Sequence, residues 1–117
     1  GYSVDGKANA TINSVRVVAE ELGLPMHGWL PEGLPQPAEP VINLAGVSGN
    51  SLDLVSRAVF HTYPIEEDDH LFRNGRENFE YLRDNYRIRR EFGSYSVRTD
   101  DREAGQILQN LGFQIIE

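Results

Sequence analysis

The chain has 117 residues, with 11 basic and 18 acidic side chains and a formal net charge of −7. That length supports one domain, and the lack of cysteine excludes disulfide bonds, thiolate zinc sites and cysteine nucleophiles. No apolar run is long enough for a membrane helix, and the first residues lack the pattern of a secretory signal. We therefore expect a cytoplasmic protein that does not contact a membrane.

A helix is predicted near the start of the chain. Between residues 9 and 22, apolar side chains recur at spacings of three and four, which places them in one stripe. Asn9 is expected to cap the start of this helix, and Gly23 is expected to end it in the left-handed conformation. Three valines within it lower its intrinsic propensity, so we expect the helix to depend on packing.

Residues 24–40 contain five of the six prolines of the chain. Each proline fixes φ and removes a backbone donor, so neither a long helix nor a central strand fits this segment. We interpret it as an extended, partly polyproline connector within the domain. Trp29 and its apolar neighbours are expected to press onto the domain, and a docking strip for a partner is the alternative.

The middle of the chain predicts a strand followed by two helices. Residues 41–47 are mostly apolar and indicate a short buried strand. A glycine-containing turn then leads to a second helix, which Asn50 or Ser51 caps and which ends before the last proline. Residues 65–72 are expected to form an acidic loop, and residues 75–86 a third helix.

The clearest local pattern is a predicted β-hairpin. Gly93 opens a two-residue loop between residues 87–92 and residues 95–99, and glycine at that position suits a type II′ turn. In the resulting register Arg89 faces Arg98 across the ladder, and such a like-charge pair costs about 0.2–1 kcal/mol. We therefore expect an anionic group close to these two guanidinium groups, supplied by Glu91, by the acidic residues 66–69 or by a carboxylate or phosphate of a partner.

The remaining elements complete an α+β domain. Asp100 or Asp101 is expected to cap a fourth helix that Gly112 ends, and residues 113–116 indicate a last strand. The predicted fold is a single compact α+β domain over residues 1–117, in the order helix, strand, helix, helix, hairpin, helix, strand. The first six of these elements follow the order of a winged-helix module, in which the hairpin would be the wing.

Basic side chains are concentrated in residues 73–102, which hold eight of the eleven, all of them arginine. Because arginine suits carboxylates, phosphates and stacking, this stretch is the candidate binding surface, and tyrosines are its candidate anchors. The residues expected to contact a partner are Arg73, Arg76, Arg87, Arg89, Arg98, Tyr86 and Tyr95.

This surface favours a non-catalytic protein-binding or regulatory module that docks through the arginine-bearing hairpin and third helix onto an acidic patch of a protein partner. Two alternatives stay open: a nucleic-acid-binding module of winged-helix type, and an acidic inhibitor or immunity-type protein that caps a basic site. An enzyme is the least supported interpretation, because no catalytic motif is found. The oligomeric state is left open by the sequence.

A second candidate site is the G-x-x-G turn of Gly46 and Gly49, between the first strand and the second helix. Such glycines allow a backbone to approach a phosphate. However, no third glycine and no P-loop lysine follow, so a plain turn is the alternative. The acids at residues 66–69, with His61 and His70, lack the spacing of a metal site. The sequence thus predicts no metal and no cofactor.

Overall fold

A computed structural model gives the fold and describes residues 3–117. Over this range the helices are α1 (Val4–Leu22), α2 (Ser51–Thr62), α3 (Ile65–Asn74), α4 (Phe79–Asp84) and α5 (Arg102–Leu111). The strands over the same range are β1 (Val41–Asn43), β2 (Ser96–Arg98) and β3 (Gln114–Ile116). The prediction of a single α+β domain is confirmed.

The three strands form one parallel sheet in the order β1-β2-β3. In the register of the sheet, the central residues of the three strands, Ile42, Val97 and Ile115, lie side by side. Parallel neighbours need crossover connections, and the helices α2 and α5 lie in these connections and pack against each other. The buried core consists of Ile42, Leu44, Leu54, Ala58, Tyr95, Val97, Ala104, Leu108 and Phe113.

Two helices begin and end at residues that the sequence predicts. At the start of α2, the Asn50 side chain accepts from the Asp53 N–H while the Asp53 carboxylate accepts from the Asn50 N–H, which is a capping box. Asp101 caps α5 by accepting from the Ala104 N–H at 2.8 Å. Gly112 ends α5 with a φ of 106°, a conformation that favours glycine.

The first helix is longer than predicted. It begins at Val4 and not near Asn9, because the Ser3 hydroxyl accepts from the Gly6 N–H at 3.0 Å and caps it earlier in the chain. Gly23 ends it with a φ of 64°, as predicted. The sequence pattern therefore located the end of α1 but not its start.

The proline-rich connector, residues 24–40, contains no helix and no strand, as predicted. It is tied to the domain by the His61 ring, whose Nε2 lies 2.9 Å from the Glu39 carbonyl oxygen. Arg90 also donates to the Pro35 carbonyl at 2.7 Å. Trp29, which was expected to press onto the domain, keeps 37% of its surface exposed.

The predicted hairpin is wrong. Residues 87–91 are irregular, and Phe92–Ser94 is a turn of 3₁₀ helix that leads into β2. Both edges of β2 are occupied by parallel strands, so the preceding segment has no free edge for antiparallel pairing. Its backbone binds the start of α1 instead, since the Arg89 carbonyl accepts from the Val4 N–H at 2.8 Å. Without a hairpin, the winged-helix order is also wrong.

The predicted acidic loop is a helix, α3, and the predicted third helix is shorter than expected. Acidic side chains in the first turn of α3 are favoured by the helix dipole, which explains why an acidic run is helical here. Gly75, with a φ of −145°, ends α3. A 3₁₀ turn at Arg76–Asn78 then leads into the six residues of α4.

The molecule is wide and flat, with principal extents of 55 × 43 × 20 Å. Its radius of gyration is 17.9 Å, whereas a compact domain of 100 residues has about 13 Å. The excess comes from α1 and the α3–α4 pair, whose large apolar side chains are widely exposed. No helix within residues 3–117 is long and apolar enough to cross a membrane.

Candidate functional site

A groove lies between α3 and α4, and we call it the α3–α4 groove. It encloses about 680 Å³, within the range of roughly 300–1,000 Å³ that ligand pockets occupy. Its apolar wall consists of Leu71, Phe72, Phe79, Tyr81 and Leu82. The polar residues of its lining are Tyr63, Asp68, Arg83, Asn85, Tyr86, Arg87 and Arg89.

Asp68 is part of the lining of the groove. Its carboxylate accepts from the Tyr86 hydroxyl at 2.6 Å and from Arg87 Nη2 at 2.7 Å. These bonds join the first part of α3 to the segment that follows α4. Burial, and then the hydrogen bond to the Asp68 carboxylate, raise the pKa of Tyr86 far above its ordinary value of 10.0, so the hydroxyl remains a donor.

Arg89 supplies the unpaired cation of the groove. Its guanidinium carbon lies 4.0 Å from the centroid of the Tyr63 ring, within the range of a cation–π interaction. Among residues 3–117 no carboxylate lies within ion-pair distance of Arg89, whereas Arg87 is paired with Asp68 and Glu67. The groove therefore offers one uncompensated positive charge beside an apolar wall.

The other predicted contact residues are dispersed. Arg73 pairs with Asp69 on the surface of α3 at 2.8 Å, and the Arg76 guanidinium lies 5.9 Å from the Phe72 ring centroid. Arg98 is exposed at the end of β2. The structure thus brings together three of the seven predicted contact residues, Tyr86, Arg87 and Arg89.

Tyr95, the second predicted aromatic anchor, lies in the core with 5% of its surface exposed. Its ring packs edge-on against His61, with 5.9 Å between the ring centroids. Burial raises the pKa of the Tyr95 hydroxyl above its ordinary value. The ring therefore stabilises the domain from within and presents no surface to a partner.

A partly buried clamp of Asp5 and Arg90 fixes the start of α1 to the domain. The Asp5 carboxylate accepts from Arg90 Nε at 3.0 Å, from Arg90 Nη2 at 3.2 Å and from the Glu91 N–H at 2.7 Å. Burial alone would raise the pKa of Asp5, but the Arg90 and Glu91 hydrogen bonds outweigh it and hold the pKa below the ordinary value of 3.8. Because Arg90 also reaches Pro35, the clamp joins three separate segments.

Sequence reasoning missed the Asp5–Arg90 clamp, and it considered Asp68 only as one of the acidic residues 66–69 that could lie near Arg89 and Arg98, whereas Asp68 binds Arg87. Asp68 is 18 residues from Tyr86, and Asp5 is 85 residues from Arg90. Helical or strand periodicity relates only residues that are close along the chain, so it carries no signal for such pairs. The surplus of arginine between residues 73 and 102 indicated that acidic partners were needed, but not which ones.

The glycine turn binds carboxylates of its own chain. Gly46 and Gly49 have φ values of 71° and 137°, in the region that favours glycine. The Gly46 N–H donates to Asp100 Oδ2 at 3.0 Å, and the Asn50 N–H donates to Asp53 Oδ2 at 3.1 Å. The turn is thus suited to anions, and side-chain anions already occupy its donors.

The fold and the groove define a small α+β module with a parallel sheet. Its helix α1 and its α3–α4 pair expose large apolar side chains. Residues 34–112 match the family model described as "Domain of unknown function (DUF3410)". Because this match covers more than half of the chain, the chain belongs to that family.

Three bacterial relatives extend the comparison, and each is named erythronate-4-phosphate dehydrogenase. The protein from Photorhabdus laumondii is 34% identical over 117 residues, covering 97% of this chain and 30% of the relative. The Pseudoalteromonas atlantica protein is 34% identical over 116 residues (97% and 31%), and the Yersinia enterocolitica protein is 32% identical over 116 residues (97% and 30%). The chain spans about a third of the length of these relatives.

These relatives overturn the function predicted from the sequence. They are named as dehydrogenases, which are enzymes, so the non-catalytic protein-binding or regulatory module is wrong. The inhibitor and nucleic-acid-binding alternatives are wrong for the same reason. Half of the eight arginines that supported them are paired with carboxylates of the same chain, namely Arg73, Arg83, Arg87 and Arg90.

Proposed function

We propose that this chain is one part of an erythronate-4-phosphate dehydrogenase. The observation that carries the proposal is the similarity to proteins of that name from several bacteria, which extends over 97% of the chain. Because the chain corresponds to only 30–31% of each of these relatives, the activity would belong to a longer polypeptide of which this module is a component.

The substrate named for the relatives is a sugar acid that carries both a carboxylate and a phosphate. A dehydrogenase takes a hydride from the C–H bond of a hydroxyl-bearing carbon and a proton from the hydroxyl itself, which leaves a C=O bond, and the hydride passes to an acceptor such as a nicotinamide dinucleotide. The protein surroundings then have to bind two anionic groups and orient one C–H bond toward the acceptor.

The described residues do not fit a dinucleotide at their one glycine turn between strand and helix. A dinucleotide pyrophosphate needs free backbone donors at such a turn. Here the Gly46 and Asn50 N–H groups are bound to Asp100 and Asp53, whose carboxylates would repel a phosphate. We therefore assign dinucleotide binding to the part of the longer polypeptide outside this chain and derive no step of the reaction from this turn.

The test is an activity assay of the full-length gene product. The purified protein is incubated with erythronate 4-phosphate and NAD⁺ or NADP⁺, and the reduced nucleotide is followed by its absorbance. Erythronate without phosphate is the matched control. Turnover that requires the phosphate supports the proposal. If neither nucleotide is reduced with erythronate 4-phosphate while another hydroxy acid is oxidised, the proposed substrate is wrong.

A further inference from the structure

Helix α1 and the first residues of the connector form an apolar strip, which we call the apolar strip of α1 and which residues 3–117 leave largely exposed. Its members are Val15, Val18, Leu22, Leu24 and Met26, of which Val18, Leu22, Leu24 and Met26 are well exposed. Four of the five line a shallow cavity of about 260 Å³ around Ala19. Ala19 is the buried residue of this helix, all of which is described. The strip thus has the composition of a buried surface but remains open to solvent.

Such a helix needs a partner surface. With 19 residues, α1 is about 28 Å long, and an ion pair and a backbone hydrogen bond fix its first turn to residues 89–91. There Arg90 holds Asp5 and the Arg89 carbonyl accepts from Val4. Helices of this kind gain most of their stability from packing an apolar face. The clamp therefore holds α1 in a fixed direction while its strip has nothing to pack against.

The extent of the two similarities indicates where the covering surface lies. The family model begins at residue 34, so α1 and most of the connector lie outside it. Similarity to the whole dehydrogenases instead extends over 97% of the chain and must include α1. The similarity to the longer enzymes therefore includes α1, whereas the family model does not include it.

We propose that the apolar strip of α1 packs against an apolar surface in the part of the full-length polypeptide that lies outside this chain. This inference rests on the proposed function, because it needs the longer protein. The Asp5–Arg90 clamp then sets the orientation of the module relative to the rest of the enzyme.

Adjacent valines provide a matched test in the full-length protein. Val18 lies on the strip and Val17 lies on the opposite face of α1, yet their exposed fractions here are nearly equal, at 50% and 53%. Val18→Glu and Val17→Glu are each made in the full-length protein. Hydrogen exchange of the peptides from α1 and the oligomeric state are then measured.

In the wild type, α1 should be protected from exchange. Val18→Glu should speed exchange in α1 by about tenfold or more, because it buries a charge, and Val17→Glu should change it little. Equal effects of the two variants, or a wild-type α1 that exchanges as an uncovered helix, would overturn the proposal. So would a Val18→Glu variant that only converts an oligomer into monomers, since a second copy would then cover the strip. Exchange is read independently of turnover, so a protein with a protected α1 but no activity on erythronate 4-phosphate would contradict the proposed function alone.

Discussion

Replacing Asp68 with alanine should loosen the α3–α4 groove, because Asp68 joins α3 to the segment that follows α4. The carboxylate accepts two hydrogen bonds, from Tyr86 and Arg87, and hydrogen bonds to charged groups contribute roughly 1.5–3 kcal/mol each. The Arg87 side chain is 37% exposed, which reduces its share to about 0.5–1 kcal/mol. The expected total is therefore about 2 kcal/mol, most of it from the Tyr86 hydroxyl.

The neighbouring residue is a matched control for this prediction. Asp69 also accepts from an arginine, Arg73, but the two side chains are 57% and 67% exposed, so Asp69→Ala should cost at most about 0.5 kcal/mol.

Hydrogen exchange separates the two variants. Since α3 and α4 make few contacts with the core, the loss should appear as local opening. Exchange in residues 65–86 should be about 30-fold faster in Asp68→Ala, with α2 and α5 unchanged. Equal protection of residues 65–86 in the two variants would show that the Asp68 bonds do not hold the groove closed.

Two further predictions concern the clamp and the core. Because Arg90 and the Glu91 N–H hold the folded-state pKa of Asp5 below 3.8, the clamp should stabilise fully above that pH. Its contribution should be lost as the pH falls through the lower folded-state value. Urea unfolding of wild type and Arg90→Met should therefore differ near neutral pH and converge as the pH falls below 3.8; a difference that is independent of pH would refute an ionic clamp. Leu108 has no exposed surface, so Leu108→Ala should cost about 2–5 kcal/mol, whereas Leu111→Ala, at 44% exposure, should cost less than about 1 kcal/mol. Equal shifts in the urea midpoint would contradict the assignment of the core.

Local signals in the sequence predicted the helix ends well. The caps Asn50 and Asp101 and the left-handed Gly23 and Gly112 lie where their chemistry places them. Each of these positions depends on hydrogen bonds within a few residues of the chain, which a linear pattern contains. The fold class followed from these elements.

Non-local pairing explains the main failure. The segment around Gly93 satisfies the local rules for a hairpin, yet β2 is paired on both sides by β1 and β3 in parallel. Phe92 instead stacks on Phe113, with 4.5 Å between ring centroids. The pairing of strands distant in sequence thus decided the structure against a favourable local turn.

The candidate site could be predicted only in part. The structure places Arg87 and Arg89 in the lining of one groove, and their predicted role as contact residues for a partner stays a prediction. Composition could not show that Asp68 neutralises Arg87 or that Tyr63 lies beneath Arg89, because these contacts form only when α3 and α4 fold back. The sequence alone also gave no indication of a dehydrogenase, since the turn at Gly46 departs from the dinucleotide pattern.

The most direct test of the central claim is the mass of the product that the full-length protein forms from erythronate 4-phosphate. If the chain is part of a dehydrogenase for this substrate, the product should have two hydrogen atoms fewer and should keep its phosphate, with one reduced nucleotide formed per product molecule. Recovery of unchanged substrate in the presence of every acceptor, or of erythronate without its phosphate, would contradict the claim.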